Sequence, residues 1–565
     1  MKKQILAGLL PFFICGWVLG QQPETPVTAS GQDNFPVSIQ IDATKTQGEL
    51  TPIWRFFGYD EANYTYMKDG KKLLFELDQL GGPQVFIRCH HLLTSGDGAP
   101  ALKWSSTNAY TEDAQGNPVY DWTITDRIFD TYIQRGLKPY AQIGFMPEAL
   151  SIHPQDYPHD PPANERVKGN GYSYPPKDYA KWDELAYQWT KHCVERYGKA
   201  EVESWYWEVW NEPNISYWRG SHEDYFKLYD YAVEGVRRAL PTARVGGPEV
   251  AGGAGGKFLH EFLDHCAHGT NYVTGTTGSP LDFISFHAKG SPKFVSGHVE
   301  MGMNYQLANM NDAFAVIASF PEYKSTPIII GESDPEGCAA CKGPQNGYRN
   351  GTMYSSYTAA SFPRAYELAE KHGVNLEGAL TWAFEFEDQP YFAGFRVLAT
   401  NGIDLPVLNV FRMFAKMSGQ RLAVESSAGL DADTIRIKGV RGTPDVSALA
   451  SLDKNKLYVL VWHYHDDDVP GPDANVSLNF VGLPSPANMK VTEYRIDQDH
   501  SNSFAAWQKM GSPQSPSPDQ YAELEKAGQL AQVDEPHVIT TNGGISSLPI
   551  TLPRQAVSLL VFEWP

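Results

Sequence analysis

Two glutamates of this 565-residue chain close runs that otherwise read as buried strands: Glu212 follows "SWYWEVWN" (204–211) and Glu332 ends "PIIIGE" (327–332). A strand this apolar gains nothing by ending on a carboxylate held between Asn211 and Pro213, unless that end projects into a site. Pro213 cannot continue a strand ladder. Two carboxylates brought together at strand ends can hydrolyse a glycosidic bond: one protonates the leaving oxygen, and the other attacks the anomeric carbon or activates water. A lone glutamate there would read as a solvated group or an arginine partner. The pair, with Asn211 before the first and aromatics beneath it, reads as catalytic.

The elements that must hold them follow from the hydrophobic pattern. Between residues 50 and 417 short apolar runs alternate with helical patterns. The runs are "IWRFFG" (53–58), "QVFIR" (84–88), "PYAQIGF" (139–145), "SWYWEVW" (204–210), "ARVGGP" (243–248), "DFISFH" (282–287), "PIIIGE" (327–332) and "ALTWAF" (379–384). Near-continuous apolar runs fit parallel strands buried on both faces. Eight of them, each followed by a helical stretch, predict an α/β (β/α)8 TIM barrel over 45–420, whose chemistry sits at the C-terminal strand ends. Strands four and seven face each other across such a mouth. After Gly419 the runs "DTIRIKGV", "KLYVLVWHYH", "NVSLNFVGL", "KVTEYRI" and "AVSLLVFEW" alternate between Asp, Asn, Gly and Pro turns. They predict an accessory antiparallel β-sandwich over 421–565, joined by a strand at 37–43. The stretch "GSPQSPSPDQ" (511–520) reads as a polar loop within it.

Whole-chain features narrow the class. A net charge of −20 without a basic run argues against nucleic acid. "MKKQILAGLLPFFICGWVLGQQ" has the charged start, short apolar core and small-residue end of a signal peptide, cleaved near Gly20, and is too short to span a membrane. The expectation is a secreted or periplasmic protein. Of the remaining cysteines only Cys338 and Cys341 are close, as a local loop disulfide would be. "HYHDDD" (463–468) reads as a solvated turn in preference to a cation site. Two carboxylates suffice for the chemistry, so no metal or organic cofactor is expected. Oligomeric state is not readable.

The motifs "IWRF", "IRCHHLL", "YDWTITDRIFDTYI", "IGFMPEAL", "PPKDYAKW", "ERYG", "WEVWNEPN", "YFKLYD", "VGGP" and "AGF" stand in the order found in β-xylosidases. From about residue 40 to 420 the chain resembles glycoside hydrolase family 39, the β-xylosidase and α-L-iduronidase family. The resemblance implies a barrel with an attached β-sandwich and a retaining mechanism through a covalent glycosyl-enzyme. It implies Glu212 as general acid/base, Glu332 as nucleophile and Asn211 as a ligand of the sugar 2-hydroxyl. His90 and His287 ("SFHAKG") match histidines lining the family's sugar site. Phe145 and Trp382 resemble subsite walls, although core packing explains either almost as well.

The two branches of the family differ over the sugar. Residues 263–290, "ESDP" (332–335) and the C-terminal "VTEYRIDQDHSN" resemble iduronidases, and Lys289 stands where xylosidases usually have tyrosine. A lysine at a sugar site wants a counter-charge. That charge is a substrate carboxylate or a neighbouring acid such as Asp334 or Asp388. Arg396 is a candidate second cationic contact, and one of Glu385, Glu387 and Asp388 is expected to bind hydroxyls. The reading placed first is an exported retaining exo-glycosidase removing a terminal pyranose, foremost a β-xyloside, from plant- or algal-type oligosaccharides. The alternatives are an iduronidase-like uronidase using Lys289, and a non-catalytic carbohydrate-binding protein.

Overall fold

The computed structural model describes residues 33–82, 84–158, 170–483, 488–540 and 547–565, so the expected signal peptide lies outside the described residues. Eight parallel strands form the barrel: β1 (Phe56–Tyr59), β2 (Phe86–Cys89), β3 (Lys138–Ile143), β4 (Tyr206–Val209), β5 (Arg244–Val250), β6 (Phe283–Lys289), β7 (Ile328–Asp334) and β8. β8 is interrupted, with Leu376–Ala379 pairing to β7 and Thr381–Trp382 pairing to β1, which closes the ring. Each strand is followed by a helix: α1 (Lys68–Asp78), α2 (Thr123–Ile133), α3 (Tyr179–Tyr197), α4 (His222–Ala239), α5 (Phe258–His268), α6 (Met303–Ala318), α7 (Thr352–His372) and α8 (Pro406–Lys416). Local signals set their starts. Asp178 caps α3 by accepting from the amides of Ala180 and Lys181, and Ser221 with Asp224 forms a capping box on α4.

The two-residue period of each strand divides its side chains between helices and barrel interior. On β4, Trp207 meets Trp189 of α3 at 5.4 Å, and the preceding Trp205 meets Phe129 of α2 at the same distance. Tyr206 instead joins an inner layer with Phe56, Phe86, Tyr140, Phe283 and Ile329. This packed floor closes the barrel below the polar residues that end its strands.

The accessory domain is one ten-stranded sheet, mostly antiparallel. Phe35–Glu49, which contains residues 37–43, lies within it and pairs in parallel with Ala474–Val481, a departure from the wholly antiparallel expectation. The sheet folds over a shared core in which Phe480 meets Phe562 at 5.2 Å. Three expectations for this region need correcting. "DTIRIKGV" is a helix, Ala432–Lys438, because Asp431 caps it through the Thr434 amide at 2.8 Å. The stretch 511–520 joins two helices, Ser503–Lys509 and Pro518–Gly528, and the second begins inside it. "HYHDDD" is solvated only at its end, where Asp467 is half-buried and Asp468 exposed; Asp466 is buried, accepting from the Val440 amide at 2.8 Å and the Tyr464 hydroxyl at 2.7 Å. Its neighbours carry that turn onto the chain after β6, where the Asp468 amide donates to the Val299 carbonyl at 2.9 Å. Cys338 and Cys341 form a disulfide, and Cys89, Cys193 and Cys266 are buried and unbonded. Among the described residues no helix is long and apolar enough to cross a membrane.

Candidate active site

The polar residues gather where β2, β4, β5, β6 and β7 end. β4 stops at Val209, and the chain turns through Trp210 (φ +73°) and Glu212 (φ +45°), left-handed conformations that cost roughly 1–3 kcal/mol each and persist only where the surroundings enforce them. Here the surroundings do so. The Trp210 amide donates to the Ile143 carbonyl at 3.1 Å, its indole N–H donates to the Tyr217 carbonyl at 3.1 Å, and the Glu212 amide donates to the Glu249 carbonyl at 2.9 Å. The Glu212 carboxylate thereby points into the mouth, where its Oε1 lies 2.9 Å from Nδ1 of His287.

Glu332 is more tightly held. Its Oε2 lies 2.5 Å from Nζ of Lys289, and its Oε1 lies 3.5 Å from Nη1 of Arg88 and 3.8 Å from Nε2 of His287. Burial pushes its carboxyl up, but the charges of His287, Lys289 and Arg88 outweigh burial and hold it well below the ordinary carboxylate range. Glu332 is therefore an anion at neutral pH.

His90 donates from Nδ1 to Asp60 at 2.7 Å, because an ionised carboxylate only accepts. Burial lowers the His90 pKa against the pull of Asp60, so the ring is neutral at neutral pH. Its unprotonated Nε2 has no hydrogen-bond partner among the described residues and lies 3.9 Å from Oε1 of Glu332, open to accept from a hydroxyl. Trp382 packs against this histidine at 4.3 Å between ring centroids. It fits because β1 carries glycine opposite it; a Cβ on Gly58 would fall 2.5 Å from the indole. Phe145 is fully buried beneath, 5.7 Å from His90 and stacked on Tyr217 at 5.5 Å, so it supports the floor and exposes no wall.

Lys289 splits its ammonium between two of the chain's own acids, Glu332 at 2.5 Å and Asp334 at 2.6 Å. Arg396 does not reach the open face. It is fully buried, donating to the Trp382 carbonyl at 2.9 Å and to Glu336 at 2.5 Å, with Asp334 at 3.5 Å, so the expected second cationic contact is a support behind Asp334. Asp388 also stands apart. It is exposed and makes no hydrogen bond or ion pair with these residues among those described. Its neighbours are committed elsewhere: Glu385 accepts from the Gly402 amide at 2.6 Å and Glu387 from the Asp69 amide at 2.9 Å.

Arg88, Glu208 and Glu249 of the cluster escaped the sequence reading of the site. Arg88, fully buried on β2, donates from Nε to Glu208 at 2.6 Å and from Nη2 to the Asn211 side chain at 3.0 Å, which orients that amide. A charge two residues before His90 in an apolar run was its available signal. Glu249, fully buried near the end of β5, lies 3.0 Å from Nε2 of His287. It lies just past "ARVGGP", the run that reads as the fifth strand and ends at Pro248. Within the cluster, the side chains of Glu212, Lys289 and Glu332 keep 16%, 14% and 7% of their surface exposed while Arg88, Glu208, Glu249 and His287 keep none, so the first three face a ligand.

The family model described as glycosyl hydrolases family 39 matches residues 37–544. The chain belongs to that family. A β-xylosidase of Caldicellulosiruptor saccharolyticus is 26% identical over 533 residues, covering 93% of this chain and 98% of that protein. An α-L-iduronidase of Mus musculus is 26% identical over 531 residues, covering 86% and 75%. Among solved structures, a monomeric β-xylosidase from Caulobacter crescentus CB15 superposes with a TM-score of 0.71 at 20% identity, covering 93% of this chain and 99% of that one. A bacterial orthologue of human α-L-iduronidase gives 0.70 at 19%, covering 94% and 84%. This family 39 member is thus a glycoside hydrolase, with one ionised, cation-bound glutamate and a second, more accessible glutamate at its mouth.

Proposed function

We propose that the protein is an exported, retaining exo-glycosidase that removes a terminal β-xyloside by double displacement. The observation that carries this is the asymmetry of the two carboxylates. Glu332, kept ionised by Lys289, Arg88 and His287, suits the nucleophile; Glu212, more exposed and bonded only to an imidazole among the charged groups, suits the acid/base. Glu212 gives its proton to the leaving oxygen as Glu332 bonds the anomeric carbon. Glu212 then takes a proton from the water that breaks this ester. Asn211, held by Arg88, is placed to bind the 2-hydroxyl, and Nε2 of His90 accepts from a neighbouring hydroxyl.

The neutral sugar is favoured because Lys289 already meets two carboxylates of the protein. A uronide is the second reading: an ammonium has three donors, and Lys289 remains partly exposed. Export follows from the leader-like N-terminal pattern, and the Cys338–Cys341 disulfide suits an oxidising compartment.

A panel of aryl xyloside, arabinoside, galactoside and uronide substrates separates the readings, with turnover of the uronide alone overturning the xyloside proposal. Glu212→Ala should lower kcat/KM by about 10²–10⁴ on poor leaving groups and far less on activated ones. Full activity of that variant on poor leaving groups would remove Glu212 from the role.

A further inference from the structure

Glu249 has no part in the two-carboxylate scheme, yet the surrounding backbone is shaped to hold it. β5 and β7 flank β6, and both break register with it. One break falls between Pro248 and Val250, at Glu249 itself (φ +54°), and the other between Ile330 and Glu332, at Gly331. The two irregularities fit one another. A Cβ on Gly331 would fall 1.9 Å from Oε1 and 2.0 Å from Oε2 of Glu249, so the glycine before the nucleophile is the space that this carboxylate occupies. From there Oε2 lies 3.0 Å from Nε2 of His287, whose Nδ1 lies 2.9 Å from Glu212, while the Glu249 carbonyl accepts from the Glu212 amide at 2.9 Å.

We propose that Glu249 is a positioning residue: it fixes the Nε2 proton of His287, so that Nδ1 and Oε1 of Glu212 share the proton the leaving group receives. The inference rests on the reading of Glu212 as acid/base. With the Glu249 carboxylate 3.0 Å away favouring a proton on Nε2 by its charge, although the two atoms are not aligned as a hydrogen bond, Nδ1 has two states. It carries a proton beside a Glu212 carboxylate, or it accepts from a protonated Glu212. In passing between them the Nδ1–H bond breaks, its electron pair stays on nitrogen and an O–H bond forms on Glu212. The carboxylate partner on the far nitrogen sets which ring nitrogen exchanges protons. The charges around the ring agree. His287 faces Glu212, Glu249 and Glu332, with Lys289 on its own strand. Glu249 in turn faces Arg88 (3.5 Å), Tyr140 (3.3 Å) and Glu208. Burial lowers the His287 pKa, but Glu332, Glu212 and Glu249 override it and raise it to about 10. Glu208 is pushed well above the carboxylate range by burial and by Glu249, which leaves Glu249 as the anion of that pair.

The test is the pH profile of kcat/KM for Glu249→Gln, run with Glu212→Gln, on an aryl glycoside that the wild type turns over. Loss of one negative charge beside His287 lets the shared proton leave at lower pH. The basic limb should therefore move acidward by about one unit or more, a fall of about tenfold above it, for a poor leaving group. A dinitrophenyl leaving group, which needs no proton, should lose less than about threefold. An unmoved limb in Glu249→Gln, with Glu212→Gln disabled on poor leaving groups, overturns the proposal and leaves the acid/base assignment standing. Full activity of Glu212→Gln overturns that assignment instead. Should Glu249→Gln melt below the assay temperature, ¹⁵N spectra of the wild type decide, with the His287 signals assigned by their loss in His287→Asn. Protonation of Nε2 throughout the active pH range is expected, and an unprotonated Nε2 at neutral pH overturns the proposal.

Discussion

Arg88 brings one guanidinium within 3.5 Å of Glu208, Glu249 and Glu332, with no side-chain surface exposed among the first three. Removing one partner of such a group leaves uncompensated buried charge, so Arg88→Leu should cost about 3–5 kcal/mol in urea unfolding and disable turnover. The same accounting gives Glu332 and Glu61 opposite pH signatures. Glu332 is held below its unfolded value, so its contribution to stability is complete above about pH 4.3 and is lost as the pH falls below that. Urea midpoints of Glu332→Gln should accordingly fall less than those of the wild type on acidification from neutral pH. Glu61 is raised to about 8, first by burial and then by Asp60, and one of its oxygens has no hydrogen-bond partner among the described residues. The unfolded chain releases that proton near pH 4.5 and the folded chain only near 8, so this group costs stability increasingly as the pH climbs through that window. Glu61→Gln should stabilise the protein more at pH 8 than at pH 5; an equal gain at both would assign the effect to packing. Sequence reading singled out Glu212, Glu332 and Asn211 because each ends a legible apolar run, while His90, His287 and Lys289 were singled out by the family resemblance. It missed Arg88, Glu208 and Glu249 because their roles are set by neighbours on other strands.

At the scale of elements, the loop after β7 shows how support for the site is layered. Glu336 accepts from Arg349 and Arg396 at 2.5 Å each, and the Cys338 and Cys341 carbonyls accept from Arg349 at 2.6 and 2.9 Å. The disulfide closes a loop of sequence separation 3 inside that clamp. Chain-entropy arithmetic for so short a loop gives about 2 kcal/mol or less. The Cys338→Ser, Cys341→Ser double variant should therefore lose no more than that in urea titration, and kcat/KM should stay within about threefold of wild type, because the two arginines still fix the loop behind Asp334. A collapse of activity on reduction would mean that the disulfide itself holds the nucleophile strand. Barrel strands were legible because burial on both faces leaves unbroken apolar runs. The helix at 432–438 was not, since "TIRIKGV" alternates as a strand does and only the preceding Asp431 cap decides the outcome.

At the scale of the molecule, the accessory sheet packs against the barrel as a second layer. Along Lys456–Tyr464 the period-2 pattern separates two cores: Leu457, Val459 and Val461 fill the fold of the sheet, while Tyr458, Leu460, Trp462 and Tyr464 join the core that the barrel builds with α7. The contact is also polar where it must be. Arg364 of α7 donates to Asp445 at 3.0 Å, and the Trp462 indole donates to the same carboxylate at 2.9 Å, so a buried charge on each side is matched across the boundary. An alternating strand in the sequence reads as half-solvated; what it could not show is that the second face is covered by a helix more than eighty residues upstream. Two layers sharing one core should unfold together. We therefore expect a single urea transition, with tryptophan fluorescence and far-UV circular dichroism coincident. Trp462→Ala should lower its stability by about 3–5 kcal/mol through the cavity it leaves and the hydrogen bond to Asp445 it removes. If fluorescence and dichroism separate into two transitions in the wild type, the sheet is an independent domain, and the loss in Trp462→Ala should then be confined to one of them.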